Sequence, residues 1–255
     1  MPPTDDDRSM PPTDDPVPTA VAEPPPADTT YAPPQVLQRQ VVASRGRWPV
    51  FAPLLASRAW SLGFQGAARR AFVGDGSANN WRLHRRFFGS FVPILDFIHA
   101  LSYVYAAALA GQRPTDGWAC YARWIGWVWQ GQVAQVLVAL RERQVALGLP
   151  QQGETEASPR QVVAKALTYL SNHQDKMKYD EYRRRGLPLT SSLMESVVKP
   201  INQRVQGTEK FWSEAGSEAV LQLRADQLSD GDPLAAFWQR RQAKATGHRR
   251  YRHAA

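Results

Sequence analysis

The sequence has one cysteine, Cys120, and no long uninterrupted apolar run. A single cysteine excludes an internal disulfide framework and a zinc site built from cysteines, and it suits a reducing, cytoplasmic setting. The most apolar stretch, residues 91–111, reaches a membrane-spanning length only by including Asp96 and His99, and Pro93 interrupts it near its start. We therefore expect no membrane segment there, but a buried strand followed by a buried helix.

The first 35 residues lack the basic and apolar segments of a secretory signal. They contain eleven prolines and a repeated MPPTDD, a composition that buries too little apolar surface to offset the entropy of ordering. We expect residues 1–35 to form a disordered leader. Seven acids face a single Arg8 in this leader, a local charge of −6, so residues 36–255 carry +14 while the whole chain has a formal charge of +8. Such an excess favours a polyanionic partner, nucleic acid before membrane, although it also serves solubility.

The remaining sequence is rich in helical patterns, with two short strand-like segments. A helix is expected from near Val50, then a strand at 70–74, a short helix over NNWRLHRRFF and a buried strand at 91–97. Helical spacing continues over residues 99–111, 116–148, 158–185, 191–212 and 214–228. The expected fold class is α/β and predominantly helical.

An aromatic stripe runs through the segment 116–148. Trp118, Tyr121, Trp124, Trp127 and Val128 recur at helical spacing. This pattern is typical of a helix that buries one face against its neighbours. Stacking on unpaired bases is the alternative.

Asp75 follows the first apolar strand directly and precedes Gly76. Asp-Gly is a strong turn dipeptide, so a turn is one interpretation. The other is a functional carboxylate, because ligands of open α/β sheets bind beyond the carboxyl ends of strands.

Glu195 also has two interpretations. Ser192 and Glu195 form the S-x-x-E pattern of a capping box, and Lys199 adds an i, i+4 ion pair. A metal ligand is the alternative. On the step from the second strand to the next helix, we expect Asp96 to cap that helix and His99 to point into the core.

Three short clusters mix arginine with aromatic residues or histidine, namely RLHRRFF, YRRRG and HRRYRH. Phosphate contacts with some stacking require this mixture, although a solvated face also explains each cluster. The residues predicted to bind DNA are Arg82, Arg85, Arg86, Arg183, Arg184, Lys199, Arg204 and Lys210.

Taken together, GDGSANNW, PILDFIHALSY, residues 169–212, most specifically the block from Tyr182 to Trp212, and LQLRADQLSDGDPLAAFW resemble the C-terminal half of bacterial insertion-sequence transposases of the DDE type. The resemblance covers roughly residues 50–241. It is most specific where GLP, TSS, MES and RVQGTEKFW follow one another in the family's order.

The resemblance implies an RNase H-like domain in which Asp, Asp and Glu bind two magnesium ions and drive DNA strand cleavage and transfer. Asp75 matches the second carboxylate and Glu195 the third. Both are therefore expected metal ligands. Asp96, on the adjoining strand, is a secondary candidate. Magnesium prefers such hard oxygen ligands. The first carboxylate, which the family carries on its first strand, has no match, since every earlier aspartate lies between Asp5 and Asp28.

This resemblance implies a truncated enzyme with a partial RNase H-like core. The expected division is a leader at 1–35, the partial core at 36–100, an all-helical insertion at 101–186, the Glu-bearing part of the core at 187–242 and a basic tail at 243–255. We expect a transposase fragment that is inactive alone and binds Mg²⁺ weakly or not at all. Its expected partners are transposon ends, target DNA and a second or intact transposase copy. The alternative is a non-catalytic fragment that binds DNA or transposase and modulates an intact copy.

Overall fold

The computed structural model describes residues 31–206 and 211–245, apart from the side chains of Leu193 and Glu195. Most of the predicted leader, Lys210 and the cluster HRRYRH lie outside these residues. The described chain is predominantly helical, as predicted. Its helices are α1 (Trp48–Ser61), α2 (Ala78–Phe87), α3 (Phe97–Leu109), α4 (Pro114–Trp129), α5 (Val133–Leu147), α6 (Pro159–His173), α7 (Tyr179–Arg184), α8 (Ser192–Val205), α9 (Glu214–Gln227) and α10 (Pro233–Ala243), and its strands are β1 (Ala71–Gly74) and β2 (Val92–Leu95).

The two strands pair in parallel and are joined by α2, which makes a β-α-β unit. Gly74 lies opposite Leu95 in the register, so Asp75 and Asp96 follow at the same end of the sheet. Ile94 and Leu95 are fully buried. The predicted strands are confirmed, because continuous apolar runs bounded by glycine or charge suit strands covered on both faces.

Helices α3 to α6 form the main core together with the sheet. Trp124 and Val128 of the aromatic stripe are buried, which confirms core packing for this part. Trp118 is 56% exposed and contacts Tyr121 at the surface. The prediction that the stripe is buried is therefore wrong for Trp118. Helix α3 is continuous across residues 100 and 101, where the predicted core met the predicted insertion.

Two long predicted helices are each broken. The segment 116–148 divides into α4 and α5 at Gly131, whose φ of 74° is outside the helical range. A Cβ at Gly131 would lie 2.1 Å from Asp180 Oδ1, so α7 approaches this break too closely for a side chain. The segment 158–185 divides into α6 and α7, with a 3-10 turn at Gln174–Lys176 between them.

An irregular segment, residues 31–47, connects distant parts of the chain. Tyr31 packs edge-on against Trp129 and donates a hydrogen bond to Leu187 O. Farther along, Val41 N donates to Ser229 Oγ and Arg45 N donates to Glu218 Oε2. Helix α9 and the residues directly after it are therefore bonded to the segment that precedes α1.

None of the helices in the described ranges combines the length and apolarity that crossing a membrane requires.

Candidate functional site

Asp75 lies at the carboxyl end of β1, on the turn into α2. Its Oδ1 accepts hydrogen bonds from Ser77 N at 2.9 Å and Asn80 Nδ2 at 2.8 Å. Within the described part of the chain, Oδ2 accepts none, and the residue is exposed. Asp75 is thus both an Asx-type turn residue, as the Asp-Gly pattern predicts, and a carboxylate with an oxygen facing solvent.

Helix α6 holds this turn from the other side. Tyr169 donates its hydroxyl to Asp75 O at 2.8 Å, and His173 Nε2 lies 3.2 Å from Gly76 O. Burial, followed by the negative potential of Tyr103, Asp75 and Asp96, raises the pKa of Tyr169. The hydroxyl therefore keeps its proton and remains a hydrogen-bond donor to the turn.

Asp96 occupies the equivalent place after β2 but is buried, with 4% exposure. Its Oδ1 accepts from His99 N at 2.8 Å, so it caps α3 as predicted. Its Oδ2 accepts from Ser191 N and from Ser191 Oγ at 2.7 Å. His99, in contrast, is exposed beside the Tyr103 and Tyr169 rings, because Phe97 and Ala100 occupy the buried face of α3; the prediction that His99 points into the core is wrong.

Helix α8 brings Glu195 to the same region. The helix begins at Ser192 with Ser191 as its N-cap residue, one position before the cap that the S-x-x-E pattern requires. The Ser191 side chain makes no capping bond to α8, because its hydroxyl is donated to Asp96. Glu195 is the fourth helical residue, and the separation of its carboxylate from Asp75 stays a prediction.

The described residues contain no cluster of three or more His, Cys, Asp or Glu side chains suited to a metal ion. Asp75 offers an exposed oxygen of the type that magnesium prefers. Asp96 differs, because its carboxylate is committed to donors of two helices. Of the two carboxylates that follow the strands, only Asp75 has an oxygen without a donor among the described residues, and Glu195 as a second metal ligand stays a prediction.

The predicted DNA-binding residues separate into exposed and buried positions. Those exposed are Arg82, Arg85 and Arg86 on α2, Arg184 on α7, and Lys199 and Arg204 on α8. Arg184 pairs with Asp180 at 2.9 Å. Arg183 is buried, with its guanidinium 4.1 Å from the Trp129 ring centroid and donating to Trp129 O. The prediction for Arg183 is therefore corrected: its position inside the fold is incompatible with a phosphate contact.

Three contributors to the site were missed at the sequence level: Tyr169, His173 and Ser191. Tyr169 and His173 have a weak signal, the i, i+4 spacing of two ring side chains on one helix face. Ser191 had none, since its partner Asp96 lies 95 residues away.

Comparison with known proteins finds no matching family model, curated protein or solved structure for this chain. Its function is therefore inferred from its residues and their geometry.

Proposed function

We propose that this chain is the C-terminal part of a DDE-type transposase, with Asp75 and Glu195 as two carboxylates of a magnesium site for DNA strand cleavage and transfer. The observation that supports it most is the convergence of three features. Asp75 and Asp96 end two paired parallel strands, and Ser191, at the start of the helix that carries Glu195, binds Asp96. Groups at the carboxyl ends of parallel strands are where α/β sheets bind ligands.

The residue types suit phosphoryl chemistry. Bound magnesium would stabilise the charge on attacking and leaving oxygens during displacement at phosphorus. Asp75 holds an oxygen toward solvent because Ser77, Asn80 and Tyr169 fix its turn. Glu195 lies near the positive end of α8, which favours the charged carboxylate that a metal needs.

The outer edge of β1 has no hydrogen-bonding partner among the described residues, which supports an incomplete core. In the parallel ladder, Phe72 and Gly74 bond to β2, so the N–H and C=O groups of Ala71 and Val73 point the other way. No described residue bonds to these groups. A two-stranded sheet with a free edge accepts a further strand readily. In the family that the sequence resembles, the first carboxylate lies on such a strand, and this edge ends at Asp75.

Basic side chains lie on the helix that follows Asp75 and on the helix that carries Glu195. Helix α2 starts after the Asp75 turn and exposes Arg82, Arg85 and Arg86. Helix α8 carries Glu195 and exposes Lys199 and Arg204. DNA phosphates bound along these helices would lie near the proposed site.

The second candidate is a non-catalytic fragment that binds DNA or an intact transposase copy. The β1 edge, to which no described residue bonds, favours it, because a strand of another chain can pair there without any chemistry. The two functions differ in whether Asp75 and Glu195 matter to metal binding.

Binding of Mn²⁺, followed by electron paramagnetic resonance of the full chain, separates them. We expect binding in the millimolar range, weakened by Asp75→Asn and by Glu195→Gln, because two carboxylates make a poor but real site. The control is Asp116→Asn, an exposed carboxylate paired with Arg113 on α4. Equal binding by all four proteins would contradict the transposase site.

Activity gives a second measurement. We expect no strand transfer by this chain alone on a supercoiled DNA substrate with Mg²⁺, because one carboxylate has no match. Strand transfer that Glu195→Gln abolishes would instead reveal a third carboxylate within this sequence.

A further inference from the structure

We infer that Asp96 is a positioning residue, which holds the start of α8 and thereby sets the place of Glu195 beside Asp75. This inference rests on the proposed function, in which Glu195 binds a metal. It assigns Asp96 a different role from that of a secondary ligand.

A single residue links three elements here. Asp96 N donates to Gly74 O at 2.8 Å, directly before Asp75 on the neighbouring strand. Asp96 Oδ1 caps α3 through His99 N. Asp96 Oδ2 accepts both the amide and the hydroxyl of Ser191. The residue after β2 is therefore bonded to the β1 terminus, to α3 and to the N-cap residue of α8.

Electrostatics explains why a carboxylate is used. A negative charge with 4% exposure is costly unless several donors surround it. The starts of two helices, α3 and α8, both meet Asp96, and helix N-termini stabilise negative charge. Losing any of these hydrogen bonds leaves the buried carboxylate without enough donors, which is costly. The start of α8 is therefore held against the sheet.

The contact between Asp96 and Ser191, called the latch from here on, lies close to the proposed ligand Glu195 along the chain. Ser191 precedes Glu195 by four residues, roughly 6 Å of helix at 1.5 Å per residue. Fixing Ser191 against Asp96 therefore restricts where Glu195 lies relative to Asp75. Removing a residue that orients a metal ligand without itself binding the metal typically lowers metal affinity by about 10- to 100-fold.

Ser191 provides a mild test, since its replacement leaves the Asp96 cap on α3 intact. We compare Ser191→Ala, which removes the hydroxyl, with Ser191→Thr, which retains it. The matched control is Ser192→Ala, because exposed Ser192 contacts Thr190 and not Asp96. Hydrogen exchange over residues 189–199 and Mn²⁺ affinity are measured in the full-length variants.

We expect Ser191→Ala to speed exchange at the start of α8 and to weaken Mn²⁺ binding about 10-fold, while Ser191→Thr and Ser192→Ala match the parent. Faster exchange with unchanged Mn²⁺ affinity would overturn the positioning role. Identical behaviour of Ser191→Ala and Ser192→Ala in both measurements would overturn the latch itself. No Mn²⁺ binding by the parent would refute the proposed metal site, and with it the positioning role, whereas the exchange measurement would still report whether Ser191 anchors α8.

Discussion

At the scale of single residues, the Asp75 turn depends on a glycine for two separate reasons. Gly76 has a φ of 88°, a conformation that favours glycine. A Cβ at this position would lie 2.5 Å from the Tyr169 hydroxyl. The same hydroxyl bonds to Asp75 O, so a side chain at residue 76 would displace the contact that holds the turn.

Gly76→Ala is expected to destabilise the fold more than backbone strain alone explains. Gly153 is the matched control, because it also has a φ of 88° but has open space around its Cβ position. We expect Gly153→Ala to cost about 1 kcal/mol of unfolding free energy, and Gly76→Ala to cost about 1 to 3 kcal/mol more through the clash. Urea denaturation measures both. Equal costs would mean that Tyr169 moves aside freely and does not hold the turn.

At the scale of elements, α7 closes the outer edge of β2 with side chains rather than with another strand. Tyr179 donates its hydroxyl to Leu95 O at 3.0 Å, and Tyr182 donates to Pro93 O at 3.2 Å. Pro93 lacks an amide hydrogen, which suits a strand edge that no other strand extends. The sheet therefore has one edge covered by tyrosines, whereas the β1 edge bonds to no residue in the described part of the chain.

These tyrosines make the fold sensitive to high pH. Burial raises the pKa of Tyr182 to about 12 and that of Tyr179 well above its ordinary value of 10.0. Above pH 10 the unfolded chain loses these protons while the folded chain keeps them, so the stability that is complete below pH 10 falls as pH rises toward 12. Denaturation from pH 8 to 12 should show this loss.

Tyr182→Phe separates the hydroxyl from the ring. We expect this variant to be less stable at pH 8 by about 1 kcal/mol, the value of one hydrogen bond, and to lose less stability than the parent as pH approaches 12. Exposed Tyr105, whose hydroxyl bonds to no described residue, gives the control Tyr105→Phe. A parallel pH dependence of parent and Tyr182→Phe would exclude Tyr182 as a source of the alkaline loss.

At the scale of the whole molecule, the charge of the chain is unevenly distributed. Residues 36–255 carry a formal charge of +14. Exposed arginines lie on α2, which follows Asp75, and an exposed lysine and arginine lie on α8, which contains Glu195. If these helices bind DNA, each phosphate that they neutralise adds to the salt dependence of the affinity. A charge that serves only solubility makes no such position-specific contribution.

Replacing Arg82, Arg85 and Arg86 with glutamine should lower the slope of log K against log salt by about 2 to 3, because each neutralised phosphate of duplex DNA contributes about 0.9 to that slope. The control replaces Arg240, Arg241 and Lys244, three exposed cations at the end of α10, which has neither candidate ligand. Fluorescence anisotropy with a labelled duplex at several salt concentrations measures both slopes. Equal changes in the two triple variants would indicate non-specific attraction in place of a binding face.

The local pattern of residues was sufficient to predict the strands, α2, the predominance of helix and the position of Asp75. These features depend on neighbours within a few residues: an apolar run, helical spacing and an Asp-Gly turn. The cap that Asp96 makes on α3 was predictable for the same reason. The RNase H-like core and the magnesium site stay predictions, since Glu195 is described only by its backbone.

Other features depend on partners far along the chain, and no local pattern contains them. Arg183 looks like part of a basic surface cluster but is buried against Trp129, 54 residues away. Trp118 continues a helical stripe but is 56% exposed, because no element of the described ranges packs over it. Ser191 belongs to a helix start by its sequence, yet packing brings it to Asp96, whose buried charge needs donors from outside its own helix. Long-range contacts of this kind follow from how the helices assemble, because a side chain's burial and bonding partners are properties of the folded neighbourhood and not of the adjacent residues.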